Sequence, residues 1–202
     1  MSRRFWLALA SLTVLVLFIL AGSTAGAWTS FRSGDSATIT KSETVDGSLW
    51  SAAKNIDVAG TVNGDLFCMA ETVYISGVVK GDIICAAKTI NISGTVDGNL
   101  RLAALTVNFS GTSAKSATMA GENINIEKQG SIGMDVSLIG TTANISGKIG
   151  RDLAVSGSGL NISGQIGRDI SSRSERINLL SGASVAGSIN YTSKQSLIQA
   201  EG

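Results

Sequence analysis

One phrase returns along this chain every 17 residues, as GTVNGDLFCMAETVYISG, then GVVKGDIICAAKTINISG, then again from Gly94. A period of that size marks one supersecondary unit stacked on copies of itself. A single unit cannot bury its apolar side alone, so its neighbours must lie on top of it. Four apolar columns run down the chain. The first reads Val45, Val62, Val79, Val96, Ser113, Ile132, Ile149, Ile166, Val185, and the second Leu49, Leu66, Ile83, Leu100, Ala117, Val136, Leu153, Ile170, Ile189. The third reads Ile56, Val73, Ile90, Val107, Ile124, Ala143, Leu160, Ile177, and the fourth Val58, Ile75, Ile92, Phe109, Ile126, Ile145, Ile162, Leu179. Residues Val62, Leu66, Val73, Ile75, Val79, Ile83, Ile90 and Ile92 form the clearest part of this core ladder.

Inside each unit apolar and polar residues alternate, as in T-I-N-I-S, and β-branched types dominate, which is strand grammar. No unit carries the long three-and-four spacing a stable helix needs. Each unit therefore reads as one coil of an all-β, single-stranded parallel β-helix, with coils about 4.8 Å apart. About nine coils over residues 44–191 would make a rod on the order of 40 Å long. Gly60, Gly77, Gly94, Gly111, Gly130, Gly147 and Gly164 follow the fourth column, where the chain bends and a side chain would obstruct it. Two steps of 19 replace 17, between Ile126 and Ile132 and between Leu179 and Val185, and both extra pairs fall at that same corner. The fifth coil, with Ser113, Lys115 and Ala117, is expected to pack thinly. Residues 28–43 read as a degenerate capping segment and 192–202 as a loose tail.

Residues 1–27 are a separate object. Arg3 and Arg4 precede FWLALASLTVLVLFILAG, and no charge recurs until Arg32. The pattern fits a signal peptide cleaved near Ala25-Gly26-Ala27, or an uncleaved apolar helix spanning a bilayer. In both cases the body emerges on the far side of the membrane. A tail lying on the cytoplasmic face is the weaker alternative. The expected location is thus membrane-associated or exported, at the cell envelope.

Composition narrows the function. The 202 residues hold no His, and the net charge of +1 comes from a leader with two Arg, so no basic stripe for nucleic acid remains. No catalytic residue, cofactor or metal site is expected. Asp65, Asp82, Asn99, Asp135, Asp152 and Asp169 form a column suited to turns. Metal-binding coils use G-G-x-G-x-D phrases that this chain lacks. Asn91, Asn108, Asn125, Asn144, Asn161 and Asn178, with Thr89, Thr106 and Thr142 beside them, form an outward column. Amide-to-amide hydrogen bonding accounts for it more simply than a sugar or ice ligand. Cys68 and Cys85 stand one period apart at an inward position. They read as core thiols, with a disulfide open as the alternative if the body is exported. Trp50, Phe67 and Ile84 alternate with inward residues and should project outward over the first three coils. An exposed apolar strip of this kind is a candidate self-association surface, unless the capping segment covers it.

The phrases G-T-V-N-G-D-L, G-V-V-K-G-D-I, G-T-V-D-G-N-L and G-Q-I-G-R-D-I resemble those of the bactofilins, bacterial polymer-forming cytoskeletal proteins. The resemblance covers about residues 44–191. It implies a right-handed coil and a scaffold that joins end to end without nucleotide and recruits other envelope proteins. The family is typically cytoplasmic with polar, often Pro-rich tails, whereas this chain starts with an export-like leader and contains no Pro. The leading expectation is a non-enzymatic homopolymer at the envelope, held through its N-terminal segment if that is uncleaved. The rival is a secreted binding module, an adhesin or a glycan- or ice-binding domain using the Asn/Thr face. A left-handed acyltransferase helix repeats every six residues and normally uses His, so it fits poorly.

Overall fold

The computed structural model describes residues 29–199. The leader, and the helix expected within it, lie outside the described residues. Ten strands of the main series are β1 (Thr29–Ile39), β3 (Ser48–Val58), β5 (Leu66–Ile75), β7 (Ile83–Ile92), β9 (Leu100–Phe109), β11 (Ala117–Ile126), β13 (Val136–Ile145), β15 (Leu153–Ile162), β17 (Ile170–Leu179) and β19 (Ile189–Thr192). Between them lie two-residue strands: β2 (Thr44–Val45), β4 (Thr61–Val62), β6 (Val78–Val79), β8 (Thr95–Val96), β10 (Thr112–Ser113), β12 (Ser131–Ile132), β14 (Lys148–Ile149), β16 (Gln165–Ile166) and β18 (Ser184–Val185). A last strand, β20, is Ile198–Gln199.

The main series pairs in chain order into one parallel sheet, and the short strands pair in order into a second. Each strand therefore stacks on its counterpart one period away. Val62 lies beside Val79 and Val79 beside Val96. Leu66 pairs with Ile83, Val73 with Ile90 and Ile75 with Ile92. All of these are fully buried, so one continuous apolar core runs the length of the rod. Like meets like because a shift of one residue would turn every apolar side chain to solvent.

The corner glycines are needed for close approach rather than for unusual backbone angles. The Gly77 carbonyl accepts the Thr95 N–H at 3.0 Å, and a Cβ on Gly94 would overlap that same carbonyl oxygen. Gly60, Gly147 and Gly164 are crowded by backbone carbonyls of the previous turn in the same way.

Three features depart from the sequence reading. The solenoid has about ten turns rather than nine, because β1 forms a further rung, pairing from Thr29↔Ser48 to Ile39↔Val58. The step is 19, and the extra pair, Lys41-Ser42, turns at the corner that also takes Lys128-Gln129 and Ser181-Gly182. Beyond residue 192, β20 pairs with β17 through Asn178↔Ile198, and Leu197 packs against the core. Finally, the coil with Ser113 and Ala117 keeps large side chains beside the small ones: Phe109 and Met119 are fully buried. The buried Ser113 hydroxyl donates to the Gly98 carbonyl at 3.2 Å, so it costs no unpaired polar group.

Candidate assembly surfaces

Trp50, Phe67 and Ile84 fall in one register column on β3, β5 and β7, between the inward residues that hold each strand to the core. The column has a fourth apolar member that the sequence reading left out: Phe31, paired with Trp50. Its signal was the 19-residue step, hidden because residues 28–43 otherwise carry few apolar residues. The Trp50 and Phe67 rings stack with centroids 4.0 Å apart and planes 12° from parallel. Phe31 is 69% exposed, Trp50 41% and Ile84 39%, and Met69 in the next outward column is 67% exposed. Small residues Ala52 and Ala86 flank Met69, and Ala103 follows Ala86, which leaves an open, mainly apolar groove of about 720 Å³ along the strip. At Arg101 the column turns polar and continues as Thr118 and Ser137.

Arg101 closes that end of the strip through an ion pair with Asp82, 2.6 Å long. Asp82 also accepts the Asn99 backbone N–H at 2.8 Å, and this bond, then the Arg101 guanidinium, holds its carboxyl below the usual aspartate range. The whole Asp column works alike. Asp65 accepts the Asp82 N–H at 2.8 Å, Asp152 the Asp169 N–H at 3.1 Å, and Asp169 the Ser188 N–H at 2.7 Å. Each side chain thus ties its turn to the next, which is a structural task.

A folded-state pKa below the unfolded value, about 3.9, sets the sign of the pH effect. The stabilisation from Asp82 is complete above the unfolded pKa and fades as pH falls through the folded one. Asp82→Asn should therefore lower the thermal midpoint at neutral pH, with the gap to the parent chain closing in acid. A gap that stays constant across a pH series followed by circular dichroism would contradict this.

On the next face the asparagine column is joined by its own amides. Asn108 donates Nδ2–H to Asn91 Oδ1 at 2.9 Å, and the pattern continues through Asn125, Asn144, Asn161 and Asn178 at 2.7–2.9 Å. Every one of these six amides is committed to a neighbour.

Cys68 and Cys85 are both buried, and the structure joins them in a disulfide. The preference for two separate core thiols gives way to the register: β5 and β7 set the two Cα atoms 4.5 Å apart, inside bridging range.

The two ends of the rod differ. In the first turn Ala37, Ile39 and Val45 are buried, and Arg32 forms an ion pair with Glu43 at the adjoining corner. In the last turn Leu179, Val185 and Ile189 are only partly covered, Leu180 and Ile198 are exposed, and a cavity of about 490 Å³ is lined by Leu179, Leu180, Val185 and Ile189. Among the described residues, no cluster of three His, Cys, Asp or Glu side chains is placed to hold a metal ion.

A stack of near-identical parallel turns defines a parallel β-solenoid, and its apolar cross-section is only partly covered in the last turn. A family model described as "Bactofilin: Polymer-forming cytoskeletal" matches residues 37–137. That is half of the chain, and the protein belongs to the bactofilin family. No curated protein and no solved structure matches it.

Proposed function

We propose that this chain is a right-handed, non-enzymatic scaffold rod that joins end to end into polymers through its terminal turns, the C-terminal one above all, and works at the cell envelope. The observation that carries the assembly reading is the contrast between the ends. Leu179, Val185 and Ile189 present a partly covered apolar cross-section, and strand β19 is the last in its sheet, paired on one side only among the described residues, a ready template for another copy. Recruitment of other envelope proteins along the polymer belongs to the same proposal.

The envelope location is supported by the basic-then-apolar leader and by the Cys68–Cys85 disulfide, since structural disulfides persist in oxidising compartments. Ile189→Lys should abolish filaments in electron microscopy of residues 29–202 while the β-sheet circular dichroism signal is retained. Unchanged filaments would remove the C-terminal turn from the interface. Thiol alkylation in denaturant, applied to the chain isolated from cells without reductant, should leave both cysteines unlabelled, and labelling of both would count against export.

A further inference from the structure

The apolar strip is confined to the turns nearest the point where the leader enters the rod, and neither end contact requires it there. Phe31 lies two residues after Thr29, where the described residues begin, and the 18-residue charge-free run Phe5–Gly22 ends with eight residues between it and Phe31. That run is long enough for the hydrocarbon core of a bilayer. From Phe31 the strip runs through Trp50 and Phe67 to Ile84, about 14 Å at the spacing of stacked strands. It ends at the Arg101–Asp82 ion pair.

We propose that this strip is a bilayer-contact surface: Phe31, Trp50, Phe67, Met69 and Ile84 sit in the boundary between lipid headgroups and acyl chains. The sequence pointed to three of these residues, Trp50, Phe67 and Ile84, as a contact for a second copy, and the tether to the leader changes the occupant. An anchored leader tethers Phe31 to the membrane surface through a charge-free connection of eight residues, Ser23 to Ser30. Trp and other aromatic side chains favour that boundary, where a ring meets both apolar and polar surroundings. Lys54 and Lys88 stand exposed on the adjoining corner, with Glu71 between them. Their stems can lie along the strip while the ammonium groups stay at headgroup level.

The geometry also fixes orientation. A register column runs across strands, hence along the rod axis. A rod resting on this column lies parallel to the membrane plane, and its terminal turns face along that plane, where they can meet other rods. Polymer growth would then follow the membrane surface. This inference rests on the reading that the leader stays in the bilayer.

The test uses the full chain in lipid vesicles, with Trp6→Phe and Trp28→Phe leaving Trp50 as the sole indole. Trp50 emission should fall about two-fold when the lipids carry bromine near the headgroup end of the acyl chain, the depth an interfacial side chain reaches. Aqueous acrylamide should quench it weakly. Adding Met69→Lys and Ile84→Lys should restore acrylamide access while the chain still floats with the vesicles. Floating chain whose Trp50 responds to acrylamide alone overturns the strip contact and leaves anchoring intact. Trp50 shielded from both quenchers overturns it in favour of a second copy on the strip. Chain that fails to float removes the anchor and this contact together.

Discussion

Gly94→Val should destabilise the rod by about 3 kcal/mol or more, at the upper end of overpacking costs. The cost follows from the stack. A Cβ at position 94 overlaps the Gly77 carbonyl oxygen, and that oxygen already accepts the Thr95 N–H at 3.0 Å. Relief requires moving backbone, because no flexible side chain stands in the way. The same contact recurs one turn on either side, where Thr112 N–H donates to the Gly94 carbonyl and Val78 N–H to that of Gly60. A shift at one corner therefore strains the next. Gly159 provides the internal control, since a Cβ there meets nothing within 4 Å. It pairs with Thr142 and takes no positive φ, so Gly159→Thr should change stability by no more than about 0.5 kcal/mol. Urea unfolding of the two variants checks the pair, and equal midpoints would contradict the close-packed corner.

Phe109→Ala should cost about 3–5 kcal/mol, the range for emptying a buried aromatic site. Phe109 heads the fully buried side chains by size, and it sits just before Ser113, where the neighbouring turns place Val96 and Ile132. The ring supplies volume where Ser113 and Ala117 supply little. Without it, small residues would face one another and could not collapse to fill the space. Ile92→Phe is the useful reciprocal. Its site is fully buried between Ile75 and Phe109 in the same column, so added volume there should destabilise by about 1–3 kcal/mol. In a solenoid such losses act on one turn and its two interfaces. Hydrogen exchange should accordingly show faster opening around residues 92–132 and near-native protection in β15. Uniform loss of protection along the whole rod would mean that the turns unfold as one unit.

Much of this architecture could be read directly from residues. Val62, Val79 and Val96 keep one face and one spacing, and alternation on each side of them leaves a single way to stack. The first turn was harder to see because its inward positions include Ser30 and Arg32 beside Leu49 and Ser51, so periodicity survived only at Ala37 and Ile39. The disulfide was open because alternation shows which way Cys68 and Cys85 point, whereas bonding depends on the distance between strands. The ends were the least legible. Val185 and Ile189 obey the same pattern as their buried counterparts, and alternation alone does not show that they are only partly covered. Trp50, Phe67 and Ile84 were recognisable as an outward column, yet alternation could not say how much of each ring meets solvent.

Stacked turns joined at their ends make one directional demand. Strands lie across the rod, so the spacing of about 4.8 Å between them runs along its axis. Diffraction from aligned filaments of residues 29–202 should place that reflection parallel to the filament axis. The same reflection perpendicular to the axis would show rods associating side by side and would contradict assembly through the terminal turns.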